Sequence, residues 1–170
     1  MGLIAALFLA TSPARKTASK FDLPDDLARY REWSELVKVP HEVPLELSIL
    51  CVMPKREDWD EAARKHGPHT RKFIRVYGNA AAVEALTAHR QLPVGSVIAK
   101  EKFSGVPQGA PDGVAFMVKR NREAFPESGG WEFLYFPAPE DSKLGQHACA
   151  PCHRTAKATD YVFGRYPRRE

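Results

Sequence analysis

The run Cys149-Ala150-Pro151-Cys152-His153 places two thiols three positions apart, with an imidazole directly after the second. This is C-x-x-C-H, the attachment pattern of a c-type haem. Chemistry accounts for the spacing. Thiols three residues apart on one helical turn can both reach the vinyl groups along one porphyrin edge and form thioethers. The next residue then lies under the iron, where its imidazole serves as proximal ligand. Two other chemistries use paired cysteines. A thioredoxin-like C-x-x-C needs a βαβ setting and gains nothing from the histidine. A zinc knuckle needs a second ligand pair, and the one other cysteine, Cys51, stands alone. The sequence therefore predicts one covalently attached haem c, bonded through Cys149 and Cys152, with His153 as the metal ligand.

A chain of 170 residues, 44% hydrophobic and 27% charged, is long enough for one domain that buries a core and a porphyrin. The formal charge of +4 is dispersed, from Arg71 and Lys72 through Lys119 and Arg122 to Arg169. That dispersal argues against a nucleic-acid stripe, while leaving attraction to an acidic, soluble redox partner open. Residues 1–10 form an apolar run, followed by Thr11-Ser12-Pro13-Ala14 and the basic pair Arg15-Lys16. The order matches the apolar region and cleavage zone of a secretory signal, although a basic start is missing. The other reading is a buried N-terminal strand or helix. The run is too short to span a bilayer, which takes about 20 apolar residues. Haem c is attached outside the cytoplasmic membrane, so both signals point to export, to the periplasm or beyond. The expected organisation is a signal peptide over residues 1–14 and a single haem domain over 15–170.

The elements that must position the haem pattern are strand-rich. Asp25 and Asp26 offer an N-cap to a helix over residues 27–37, with Leu27, Tyr30, Trp33 and Val37 at helical spacing. Residues 43–52 are apolar and partly alternating, and residues 57–65 suit a short helix with an acidic start and a basic end. Residues 72–77, 95–103, 113–120 and 131–136 read as strands, with Asn79 capping an alanine-rich helix over 80–89. Residues 104–112 read as a loop, Ser128-Gly129-Gly130 as a turn, and the haem pattern as a short helix starting near residues 143–146. The fold class is α+β: an antiparallel sheet with peripheral helices and a C-terminal haem-binding helix.

This arrangement excludes two familiar haem proteins. A small electron-transfer cytochrome of the mitochondrial type brings a methionine from downstream of its C-x-x-C-H, and none follows Cys152 here. Four-helix cytochromes c′ require long heptad-like helices where residues 74–136 alternate like strands. The organisation instead resembles the cytochrome P460 family, which includes the β-sheet cytochromes c′. Five stretches carry the resemblance in order: Tyr30-Arg31-Glu32-Trp33; Ile74-Arg75-Val76-Tyr77; Gly95-Ser96-Val97-Ile98-Ala99-Lys100-Glu101; Gly129-Gly130-Trp131-Glu132-Phe133; and Cys149 to His153 continuing to Asp160-Tyr161-Val162-Phe163.

The resemblance implies a homodimer with five-coordinate haem and an open distal face, handling small nitrogen ligands such as hydroxylamine or nitric oxide. In catalytic members a lysine is also bonded to the porphyrin, and by resemblance that lysine is Lys100, with Lys102 on the same strand face as the alternative register. Attack on a porphyrin needs a neutral amine, which burial against a haem favours. Catalytic relatives place a carboxylate on the strand before the Gly-Gly-Trp turn. The position falls here on Ala115 or Phe116, with no carboxylate between Asp112 and Glu123, so the general base that hydroxylamine oxidation uses is missing from this strand. Phe116 or Met117 is expected over the iron, and Met117 as a sixth ligand would make the protein an electron carrier. Arg75 is a candidate partner for a haem propionate, His69 the histidine to watch among those outside the pattern, and Cys51 a buried apolar thiol. Three functions follow: an oxidoreductase for hydroxylamine or nitric oxide, a protein that binds nitric oxide or carbon monoxide without turnover, and an electron-transfer cytochrome.

Overall fold

Alternation of side chains between two apolar surroundings builds the antiparallel sheet. The computed structural model describes residues 21–37, 41–42, 73–103, 109–136, 144–164 and 166. Its strands are β1 (Ser34–Glu35), β2 (His41–Glu42), β3 (Phe73–Gly78), β4 (Val97–Phe103), β5 (Gly113–Lys119) and β6 (Trp131–Phe136), and its helices α1 (Ala80–Thr87) and α2 (Leu144–His153). Spatial order is β1-β3-β4-β5-β6, with β2 also paired to β3, and every pairing is antiparallel. The α+β, strand-rich architecture expected from the sequence is the one observed.

Register decides which residues share a face. Val76, Lys100, Ala115 and Tyr135 form one row across β3 to β6, and Gly78, Ile98, Met117 and Phe133 form another. Directly paired residues point to the same side and neighbours along a strand to opposite sides. The face holding these rows packs against α1, α2 and the following turn, in a core that includes Val76, Ile98, Trp131, Phe133, Ala150 and Tyr161. The other face buries Tyr77, Ala99, Val114 and Phe116 under Leu27 and Tyr30. Both faces being buried explains the strands' high apolar content.

Asn79 caps α1 as expected, its Oδ1 accepting from the Ala82 N–H at 3.0 Å. The helix expected over residues 27–37 is not formed. A turn leads into a 3-10 helix at Tyr30–Glu32, and Trp33 then extends with φ −78° and ψ 170°. Pairing of Ser34 and Glu35 with the β3 edge, continued by the Leu36 N–H donating to Val76 O at 2.8 Å, diverts the chain from a second helical turn. Leu27 and Tyr30 keep their three-residue spacing as one buried stripe, while Leu36 and Val37 are buried in the opposite core. The elements expected at 43–52 and 57–65, the proposed signal segment and part of the 104–112 loop lie outside the described residues. Among the described residues no helix is long and apolar enough to cross a membrane.

Candidate functional site

α2 lies across β6, and two residues before the haem pattern hold it there. Gln146 accepts from the Phe133 N–H at 2.9 Å and donates to Ser128 Oγ at 3.1 Å, satisfying sheet-edge groups that α2 covers. Gly145 lets the helix approach, because a Cβ there would stand 2.6 Å from Phe133 O. Pro151 sits within the helix, which changes to a 3-10 segment at Arg154–Thr159 immediately after His153. Lacking an N–H, proline weakens the α-helical ladder where this change occurs. Cys149 is half-buried and Cys152 buried, and both are thiols. Their three-residue spacing on α2 puts them on neighbouring positions of one helix face.

His153, the last residue of α2, is buried. Its ring lies between Phe133, at 4.7 Å between centroids, and Phe163, at 5.0 Å. Nδ1 is 2.7 Å from the carbonyl oxygen of Tyr161. A carbonyl only accepts, so Nδ1 carries the proton and Nε2 presents a lone pair. Burial and then the neighbouring Lys100 ammonium lower the pKa of His153 to about 4, against the opposing effect of the carbonyl bond. The imidazole is therefore neutral at pH 7, the form that binds a metal.

The sheet brings several sequence-predicted residues to this side. Lys100 is half-buried on the α2 face, close enough to act electrostatically on His153, and Lys102 and Met117 share that face. Ala115 pairs with Lys100 and is the residue of the Ala115/Phe116 alternatives that faces the site. Phe116 does not. It is buried in the opposite core, edge-on to Tyr30 at 5.4 Å and to Phe136 at 6.0 Å, because its place in the strand period points it through the sheet. Arg75 is likewise on the far face, 3.8 Å from Glu101 rather than on the α2 side where a propionate partner would stand. His89 and His147 are exposed, and His66, His69, Cys51 and the His41 side chain lie outside the described residues.

Other contributors were not singled out from sequence. Tyr135, in the row of Lys100 and Ala115, is a half-buried phenol whose pKa is raised by burial, then by Asp112 and Cys149, which places it beside the first thiol. Lys102 Nζ lies 4.3 Å over its ring. A tyrosine in a strand reads as packing, and only register reveals its company. Phe133 and Phe163 likewise carried no sign that they would flank the histidine. Behind the turn after α2 opens a cavity of about 450 Å³, with Arg122, Lys157 and Leu92 in its wall.

The donor set fits a haem c: two thiols on one helix face for thioethers, and one neutral imidazole with a single available nitrogen for iron. No curated protein matches the chain. The sequence pattern of cytochrome P460 matches residues 54–164, which include β3 to β6, α2 and the whole Cys149 to His153 run. Such a match, over more than half of the chain and ending on the site just described, makes the protein a haem protein of the kind that handles nitrogen species: it belongs to the cytochrome P460 family.

Proposed function

We propose that this chain is an exported, periplasmic c-type cytochrome whose one haem is bonded through Cys149 and Cys152, with His153 as fifth ligand and the other axial position open to small nitrogen ligands. One observation carries the reading. His153 is held between two phenylalanines with its proton committed to Tyr161 O, so Nε2 is the nitrogen left for iron. When bound, the haem supplies an iron that changes oxidation state and takes a diatomic or amine ligand. The protein orients the ligating imidazole, keeps it neutral and buries it from water.

Within this reading, capture of nitric oxide is favoured over oxidation of hydroxylamine. Ala115 occupies the carboxylate position in the row beside Lys100, so that position can move no proton, and a wall without a base suits neutral diatomics. The pairing of Lys100 with Ala115 on the α2 face supports a bond from Lys100 to the porphyrin edge. The electron-carrier alternative is disfavoured by Met117. Met117 pairs with Phe133, the residue that the His153 ring lies against, so it would stand among the residues that hold His153 rather than serve as a separate ligand. A soluble redox partner and a second copy of the chain complete the proposal.

The test is retention of haem after denaturation in acidified organic solvent, followed by spectra of the native protein with and without nitric oxide. One haem should stay with the chain, and Cys149→Ser or Cys152→Ser should weaken or abolish that retention. Ferrous protein should be five-coordinate and take up nitric oxide with little hydroxylamine turnover. Complete release of haem from wild type would sink the reading. A six-coordinate ferrous spectrum that Met117→Ala converts to five-coordinate would instead establish the electron carrier.

A further inference from the structure

The turn that follows the haem pattern holds two consecutive non-glycine residues in the left-handed region, Asp160 at φ 51° and Tyr161 at φ 65°. L-residues adopt this conformation singly and at a cost, aromatic ones rarely, and it persists where surrounding contacts over-determine it. Here the contacts converge on Asp160. Its Oδ1 accepts from Lys119 Nζ at 2.7 Å, its Oδ2 from the Leu92 N–H at 3.0 Å, and its backbone oxygen from Trp131 Nε1 at 2.8 Å. Those donors belong to β5, to the segment after α1 and to β6. Lys119 and Asp160 are both nearly buried, with side-chain exposures of 6% and 10%, and Lys119 Nζ also lies 4.8 Å over the Trp131 ring. The Tyr161 ring packs on Gly129, where a Cβ would come within 2.2 Å of it. The next carbonyl oxygen along the chain from this anchor is that of Tyr161, the partner of His153 Nδ1.

We infer that Asp160 is a positioning residue that clamps the strained turn to the sheet and thereby sets the Tyr161 carbonyl bond to His153. The inference rests on the proposed role of His153 and adds a control over it. A metal-bound imidazole donates more strongly as the hydrogen bond from its other nitrogen tightens, so three donors holding the residue before the accepting carbonyl fix the ligand's basicity as well as its orientation. An anchor needed only for folding could fasten any part of the tail. This one fastens the residue beside the carbonyl, at the expense of two unfavourable backbone conformations. The outer side of the same turn lines the 450 Å³ cavity.

The experiment uses haem-loaded protein carrying Asp160→Asn, Lys119→Met, or both. Asparagine matches aspartate in shape but offers one acceptor where the clamp uses two, and methionine keeps the lysine stem while removing its cation. The readouts are the ferrous iron–histidine stretching frequency and the midpoint potential. Asp160→Asn should retain covalent haem while the stretch moves to lower frequency and the potential moves up, because a weaker donor stabilises ferric iron less. Lys119→Met should shift both in the same direction by less, and it carries the test should Asp160→Asn not fold. In the double variant, where both charges are gone, thermal stability should recover but the stretch and potential should not. Folded, haem-loaded variants with wild-type stretch and potential would overturn the clamp and leave only a structural anchor, whatever their melting temperatures. Wild-type protein without covalent haem would overturn the clamp together with the function it rests on.

Discussion

His153 and Lys100 show how much of a residue's chemistry comes from its immediate neighbours. An isolated histidine titrates near 6.5, but burial and the Lys100 ammonium keep His153 neutral well below that. Lys100 itself stands one strand from Ala115 and two from Tyr135 in a single row. If Lys100 is bonded to the porphyrin, the ferrous Soret band of wild type is strongly red-shifted and Lys100→Ala restores an ordinary one, since distortion of the macrocycle alters its electronics. An ordinary wild-type Soret band would dismiss the bond. Ala115→Glu would place a proton acceptor in the same row. It should raise kcat for hydroxylamine by up to about 10²-fold, at the lower end of general-base effects, with little change in KM. Brisk hydroxylamine oxidation by wild type would show that Ala115 is not where the missing base matters, and Tyr135 with Asp112 would be the next place to look.

At the scale of elements, the attachment of α2 to β6 decides whether the haem residues face the sheet. Gln146 and Gly145 provide that attachment, one by satisfying the Phe133 N–H and the other by leaving room for Phe133 O. Gln146→Ala leaves a covered donor without its partner and should destabilise the fold by roughly 1–3 kcal/mol. Gly145→Val adds overpacking against backbone, again roughly 1–3 kcal/mol. His147→Ala, one residue on but exposed, should stay within about 0.5 kcal/mol of wild type. Denaturant midpoints measured at constant slope check all three, and equal midpoints across the series would remove Gln146 and Gly145 as the attachment. The N-terminal segment offers the complementary lesson. Its 27–37 spacing suits a helix, yet hydrogen-bonding partners on the β3 edge pull residues 34–35 into the sheet. Local propensity is a weak prior when an unpaired strand edge is within reach.

Among the described residues the sheet lies between two cores, and the one away from the haem pattern closes over a buried carboxylate. Glu101, 1% exposed, accepts from Tyr30 Oη at 2.8 Å and from Arg31 Nε at 2.7 Å. Tyr30 also packs edge-on against Tyr77 at 5.5 Å, so the N-terminal segment is fastened by both polar and aromatic contacts. Burial, reinforced by Glu101, raises the pKa of both phenols above the usual value near 10. The sign follows directly. A folded-state pKa above the unfolded one means that this contribution is fully present below pH 10 and is lost as pH rises from there toward the folded pKa, because only the unfolded chain ionises readily. Stability should therefore fall on the alkaline side, and Tyr30→Phe should flatten part of that fall. The same substitution should lower stability at pH 7 by roughly 1.5–3 kcal/mol, the worth of a buried hydrogen bond to a charged group. Denaturation curves between pH 7 and 11 test this, and an unchanged alkaline slope in Tyr30→Phe would reject the assignment.

The expected attachment chemistry and the order of most elements are legible in the sequence alone. C-x-x-C-H is a local pattern whose meaning resides in covalent spacing, so no fold is needed to read it. The strands from 73 to 136, the Asn79 cap and the helix beginning near Leu144 were likewise legible, because alternation and capping are short-range. Tertiary structure decided everything that depends on which residues meet. It turned Phe116 and Arg75 away from the site, kept Lys100, Ala115 and Met117 on it, and brought Tyr135 beside Cys149. It also joined Asp160 to Lys119, 41 positions apart, behind the carbonyl that holds His153. A one-residue change of register would reverse every one of those faces, and register is set by pairing between strands and by what each face can bury. That is information that a linear pattern does not carry.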